Sequence, residues 1–213
     1  MEGPLEKAAF TAKYTPRAPV LQSFELLTPE FHDADGHTGH RLRYLMDEDP
    51  IVSKPATTAI QDLYPDDFAH CFGCGRHNSS GHQLKSFVID DLDVVAHFLP
   101  SSQHISVPGF VYGGLLASLV DCHAMATAAA AAEFAAGRRI GEGPAPRYVT
   151  ASLHVEYLKP TPLGVELEIR GRVKERSERK AIVTLTVSAE ATVTVRAEAV
   201  AVRMPSTMGS GGS

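Results

Sequence analysis

GFVYGGLLASLVDCHAMATAAAAA, residues 109–132, decides how this chain folds. Two glycines, Gly113 and Gly114, open a long apolar run, and one carboxylate, Asp121, sits inside it. The run and its continuation hold ten alanines, at 117, 124, 126, 128–132, 135 and 136. Alanine is the best helix former. The pattern predicts one helix from Tyr112 or Gly113 to about Gly137, a glycine placed to end it. A helix apolar on nearly every side is a buried one. An acid in its middle therefore needs a reason.

Reading outward, LKSFVID (84–90) and DVVAHFL (93–99) are two strands joined as a hairpin through DDLD. Beyond the helix, GEGPAP (141–146) is a loop. YVTASLHVEYLKP (148–160) then alternates through Leu153, Val155 and Tyr157, and GVELEIRGRVKE (164–175) through Val165, Leu167 and Ile169. RKAIVTLTVSA (179–189) and ATVTVRAEAVAVRMP (191–205) complete the set. The short links PTPLG, ERSER and AEA predict antiparallel neighbours, because a parallel crossover needs a dozen or more residues. Two strands, one buried helix and four strands make an α+β domain over 60–205, a curved antiparallel sheet wrapped around a single helix. Just inside it, AIQDLYPDDF (59–68) holds a short helical turn and HCFGCGRHNSSGH (70–82) a turn-rich loop. Residues 1–59 lack sustained periodicity and carry prolines at 4, 16, 19, 29, 50 and 55. They read as an irregular arm with a short strand near His40–Met46. Residues 206–213 read as a linker-like, disordered tail.

The chain has 213 residues, 44% of them hydrophobic, with no Trp and 7% aromatics, so its core must be Val, Leu, Ile and Ala. A net charge of −5 excludes a basic nucleic-acid binder. Arg138-Arg139 and KERSERK (174–180) read as solvated clusters. The opening residues hold no apolar core of a secretory signal. The most hydrophobic window, 115–132, contains Asp121 and His123 and is mostly alanine, which argues against a membrane span. Three cysteines, Cys71, Cys74 and Cys122, argue for a reducing compartment rather than a disulfide framework. The expected location is the cytoplasm.

The element order, with this helix, resembles the hotdog fold. PGFVYGG with LLASLVD behind it, VTASLHVEYLKPTPLG, and CFGCGRHNSSGHQLKSF together resemble the PaaI-like acyl-CoA thioesterases over about residues 60–205. The resemblance implies hydrolysis of an acyl-CoA or related thioester, with no cofactor, in homodimers or tetramers of dimers whose sites lie at the interface.

The residues themselves can supply that chemistry. Thioester hydrolysis needs a nucleophile and donors for the oxyanion. Amides at a helix N-terminus are unpaired, and the dipole favours negative charge there. Gly113 and Gly114 would let a carbonyl come close. Asp121, desolvated in an apolar helix, should have a raised pKa and could serve as general base or as nucleophile. The resemblance gives an acid at this place that role. It also implies that Thr150, on the strand after the helix, orients the acid or the water. Asp121 lies seven residues after Gly114, about 10 Å along the axis, too far for both to act on one carbonyl in one chain. Two helices packed antiparallel would bring Gly113 of one copy to Asp121 of the other, which predicts a homodimer with shared sites.

The turn departs from the family pattern. Tyr112 stands where His is usual, and Ser106 where an Asn is common. Tyr, with a pKa near 10, cannot replace an imidazole at neutrality. Ser106, Val111, Ala117 and Lys159 are the expected substrate contacts, and Lys159, Arg138 and Arg139 are candidates for the CoA phosphates. His123 reads as a packed histidine and Cys122 as a small buried hydrophobe. In HCFGCGRH, a zinc site from Cys71, Cys74, His70 and His77 would crowd four ligands into eight residues. A redox CxxC lacks its βαβ setting. The loop is read as a metal-free turn whose glycines lead into the next strand. Two other readings stand beside the thioesterase. One is a hydratase, which would need an Asp–His pair before the helix. The other is a non-catalytic acyl-binding protein that has lost activity with the change to Tyr112.

Overall fold

A computed structural model of the chain describes residues 57–90, 93–205 and 208. The expected arm, its strand near His40–Met46 and almost all of the tail lie outside these residues. The elements are β1 (Ser86–Val88), β2 (Asp93–Phe98), α1 (Gly113–Ala135), β3 (Tyr148–Tyr157), β4 (Leu167–Arg176), β5 (Lys180–Ala189) and β6 (Thr192–Arg203). Single 3₁₀ turns at Ile60–Leu63, Asp66–Phe68 and Ser102–His104 complete the described chain.

All six strands form one antiparallel sheet in the order β1-β2-β4-β5-β6-β3. The helix lies against it. Leu115, Leu119, Val120 and Ala124 of α1 share one core with Leu167 and Ile169 of β4, Val183 and Val187 of β5, and Val195 and Ala199 of β6. Of the alternation read from the sequence, Leu167 and Ile169 are buried in β4, and β5 shows the same pattern, with Ala181, Val183, Leu185, Val187 and Ala189 all pointing inward. By length and composition α1 could cross a membrane, but 72% of its most apolar window is buried inside the fold. It is the helical half of the core.

One expectation fails. The PTPLG link does not join neighbours: β3 pairs with β6, and β4 sits between β2 and β5. The link is instead tied to the segment before α1, where the Val111 amide donates to the Thr161 carbonyl (2.9 Å) and the Leu163 amide to that of Gly109 (2.9 Å). Those bonds carry it across the end of the sheet, past β6 and β5. Short loops favour hairpins only where the strands need no other partner. The β5–β6 turn is a true hairpin, although its two central residues, Glu190 and Ala191, both adopt positive φ (48° and 66°) without glycine or asparagine.

A polar chain runs through the core. Gln61 Nε2 donates to Ser86 Oγ (2.7 Å), and the Ser86 amide donates to Gln61 Oε1 (2.8 Å). His123 Nε2 lies 3.1 Å from the Val94 carbonyl, which can only accept, so Nε2 carries the proton and Nδ1 accepts from Ser86 Oγ (2.8 Å). Burial holds His123 neutral and lowers its pKa to about 4. It is the packed histidine the sequence suggested, and it fastens α1 to β1, β2 and the first 3₁₀ turn.

Candidate active site

The helix N-terminus opens into a groove. Tyr112 is the N-cap, in extended backbone, and its side chain caps nothing. The amides of Gly113 and Gly114 in the first turn therefore lack the partner that later turns supply. Ser106, Val107, Phe110, Val111, Leu116 and the stretch Tyr157–Thr161 complete the groove, which encloses about 660 Å³. Ser106 shapes its wall, its amide donating to the Phe110 carbonyl (2.9 Å) and its hydroxyl to the same oxygen (3.3 Å). The Tyr157 hydroxyl donates to the Gly113 carbonyl (2.9 Å) and braces the turn from β3. A Cβ on Gly113 would sit 3.1 Å from the Tyr157 ring, so a side chain there would push this brace away. Lys159 is the one cation among the lining residues.

The acid stands elsewhere. Asp121 is half-buried, two turns along α1, and its carboxylate accepts a hydrogen bond from Thr150 Oγ1. A β-bulge at Ala151 follows, between the Thr150 and Ser152 register positions. Such an extra residue re-aims the side chains beside it. Loss of water raises the Asp121 pKa above the ordinary carboxylate value, and the nearby Cys71 sulfur adds to that. The Thr150 hydrogen bond opposes the shift. The result is a carboxylate that is more basic than usual and is held in one orientation.

The two halves do not meet within one chain. The groove has no contribution from Asp121 or Thr150. Both lie where α1 meets β3, the outermost strand of the sheet, whose Thr150, Ser152, His154 and Glu156 are exposed.

Comparison with known proteins gives this geometry a context. A family model described as the thioesterase superfamily matches residues 108–199. A thioesterase superfamily protein from Shewanella loihica PV-4 is 42% identical, covers 67% of this chain and all of its own, and superposes with a TM-score of 0.51. The chain belongs to the thioesterase superfamily. Two more distant solved structures are also similar. The E. coli PaaI protein of the phenylacetic acid degradation operon is 13% identical over 58% of this chain and 81% of its own (TM-score 0.48). A Streptococcus mutans protein bound to acetyl CoA is 18% identical over 57% and 88% (TM-score 0.47). No curated protein matches.

The residues singled out in the sequence fall in several separate places. Gly113, Gly114, Ser106, Val111 and Lys159 line one groove, and Asp121 and Thr150 are bonded to each other. Ala117 is half-buried on α1 and lines no part of the groove. Tyr112 turns away from it, into a second depression of about 400 Å³ with Phe72, His82, Phe98 and His104. Arg138, a candidate for phosphate binding, is engaged at the far end of α1. Its Nε and Nη2 both donate to the buried Glu133 carboxylate at 2.8 Å. The residue missed was Tyr157. Its place in the alternation read as a core position, yet it is 53% exposed and faces the groove. Only the place of β3 at the edge of the sheet reveals this, and local spacing does not carry that information.

Proposed function

We propose that this thioesterase hydrolyses an acyl-CoA or a related acyl thioester in sites shared between two copies of the chain. The Gly113 and Gly114 amides of one subunit hold the thioester oxygen as it becomes an oxyanion. Asp121 of the partner subunit, oriented by its own Thr150, takes a proton from water as the water attacks, or attacks the carbonyl itself to give a mixed anhydride that water then hydrolyses. The thiol leaves with a proton and the acid is released. The observation that carries this reading is the separation just described: unpaired amides in a groove, and an oriented acid at the open strand edge about 10 Å further along the helix.

The strand edge supplies the geometry. If β3 pairs antiparallel with β3 of a second copy about Leu153, the Tyr157 end of one strand lies beside the Tyr148–Thr150 end of the other. The groove of each subunit then faces the acid of its neighbour. Lys159 at the groove is positioned for a phosphate of the CoA portion.

The test is thiol release from acyl-CoAs of C2 to C16, with phenylacetyl- and benzoyl-CoA, comparing the parent chain with Asp121→Asn. Turnover that disappears in the variant supports the reading. Turnover by neither chain overturns it and favours an acyl-binding protein. A mixing experiment tests the sharing. Gly113→Pro removes one amide at the first helical position, where no helix hydrogen bond is lost, at the cost of a shift of a few tenths of an ångström in the Tyr157 brace. Alone, it and Asp121→Asn should each be nearly inactive. Refolded together, half the dimers are mixed with one intact site of two, restoring roughly a quarter of parental activity.

A further inference from the structure

From the thiols of Cys71, Cys74 and Cys122, we infer a binding site for one thiophilic cation, Cu(I) or Zn(II), that clamps the loop before β1 to the middle of α1. The inference does not depend on the hydrolytic reading.

The three sulfurs lie within 4.8 Å of one another, with Cys71 Sγ and Cys122 Sγ 3.7 Å apart. Sulfurs bound to a single ion at about 2.3 Å are separated by about 3.8 Å in a tetrahedral arrangement and about 4.0 Å in a trigonal one. One distance already fits, and the others need to close by less than about 1 Å. The sulfurs come from two elements 48 residues apart in sequence (122 − 74), a coincidence that the spacing of CFGC alone does not reveal.

The loop is shaped around this meeting. A Cβ at Gly73 would stand 2.3 Å from Cys122 Sγ, so only glycine lets the α1 thiol reach the turn. The amides of Gly73 and Cys74 donate to the Cys71 sulfur and fix its position in the turn. A thiolate-bound cation at this spot would be the most ordinary use of such a set.

The ligand set also selects the ion. Among the described residues the cluster contains no carboxylate or imidazole. His70 and His77, the histidines that a sequence-only zinc site would have used, contact each other as tilted rings with centroids 5.4 Å apart, and His77 bonds to Asp66. Three sulfurs with no hard ligand suit a soft d¹⁰ ion. Cu(I) is satisfied by three. Zn(II) would take its fourth ligand from water.

The full chain has three cysteines, so a sulfur-to-metal signal has one source. Reduced protein would be titrated anaerobically with Cd(II), reading the ultraviolet sulfur-to-cadmium charge-transfer band. Zn(II) and Cu(I) would each be titrated against a chromophoric chelator. We expect saturation at one ion per chain and an affinity reduced more than about 100-fold in Cys71→Ser and Cys74→Ser. The ion should raise the melting temperature of the parent and leave that of Cys71→Ser unmoved. The tighter of the two chelator competitions names the ion. Absence of the charge-transfer band, or a full-strength band in Cys71→Ser, overturns the site. So does a melting shift that survives in Cys71→Ser, because it places the ion elsewhere. Cys71 is the half-buried member, and its serine variant keeps the volume, so metal-free melting should match the parent.

Discussion

Strands β3 and β5 are both ten residues long and both rich in β-branched residues. β5 buries every second side chain and has neighbours on both edges. β3 buries only Tyr148 fully and has one neighbour, β6. The same alternating pattern thus serves two ends. In β5 it completes the core of one chain. In β3 it leaves a face and an edge open beside Asp121, and the strand that looks unfinished is the one that carries Thr150 and Tyr157.

The contrast can be broken most forcefully by putting a charge on each strand. Val183→Asp on β5 buries an unpaired carboxylate and should cost more than about 4 kcal/mol, enough to abolish cooperative melting. Leu153→Asp on β3 should leave the melt cooperative but yield monomers in sedimentation, with activity lost. Equal damage from both substitutions would mean that β3 is core after all.

Next in size is Asp121→Asn. General-base chemistry contributes about 10²–10⁴ in rate, and a loss in that range is expected in kcat. The melting temperature should not fall, because the carboxylate is already disfavoured by its burial. A variant that loses activity by unfolding would argue for a structural acid.

Acid stability follows from His123. Its pKa drops on folding from 6.5 to about 4. Between those values the unfolded chain binds a proton that the folded chain does not. Stability therefore falls as pH falls through that window, by roughly 3 kcal/mol in total. Chemical denaturation at pH 7 and pH 4.5 measures it, and in His123→Gln the His-linked part of the slope should vanish.

Thr150→Val has a smaller effect. The lost hydrogen bond had favoured the charged carboxylate, so the Asp121 pKa rises further. The acid limb of kcat/KM should move to higher pH, with less than about a 10-fold loss on the plateau. An unmoved limb would separate Thr150 from the acid. Smallest of all, Ala191→Gly relieves a left-handed alanine in the β5–β6 turn and should stabilise by about 0.5–1 kcal/mol.

Much of the fold was legible because period-two alternation and an alanine-rich helix are local signals. The helix ran from Gly113 as read, and β1 and β2 formed the expected hairpin. The β3–β4 link misled because a short loop says nothing about which strands slip in between. At the site, Gly113, Gly114, Ser106 and Lys159 could be found because they flank one turn and one strand end. Asp121 stood out as an acid in an apolar run. Tyr157 and the meeting of Cys122 with Cys71 could not be found, because each is a contact between segments distant in sequence, which local patterns do not encode.

The strand order has a consequence for synthesis. Among the described strands β3 finds its one neighbour in β6, the latest of the six in chain order. Until Thr192–Arg203 leave the ribosome, β3 has no strand of its own chain to pair with, while β4 and β5 can already form their hairpin. A nascent chain thus holds two free edges on the strand that bears Thr150, and long-range pairing of this kind forms slowly. Thr192–Arg203 close one of those edges, so Thr150 gains its place in the sheet only once β6 has been made.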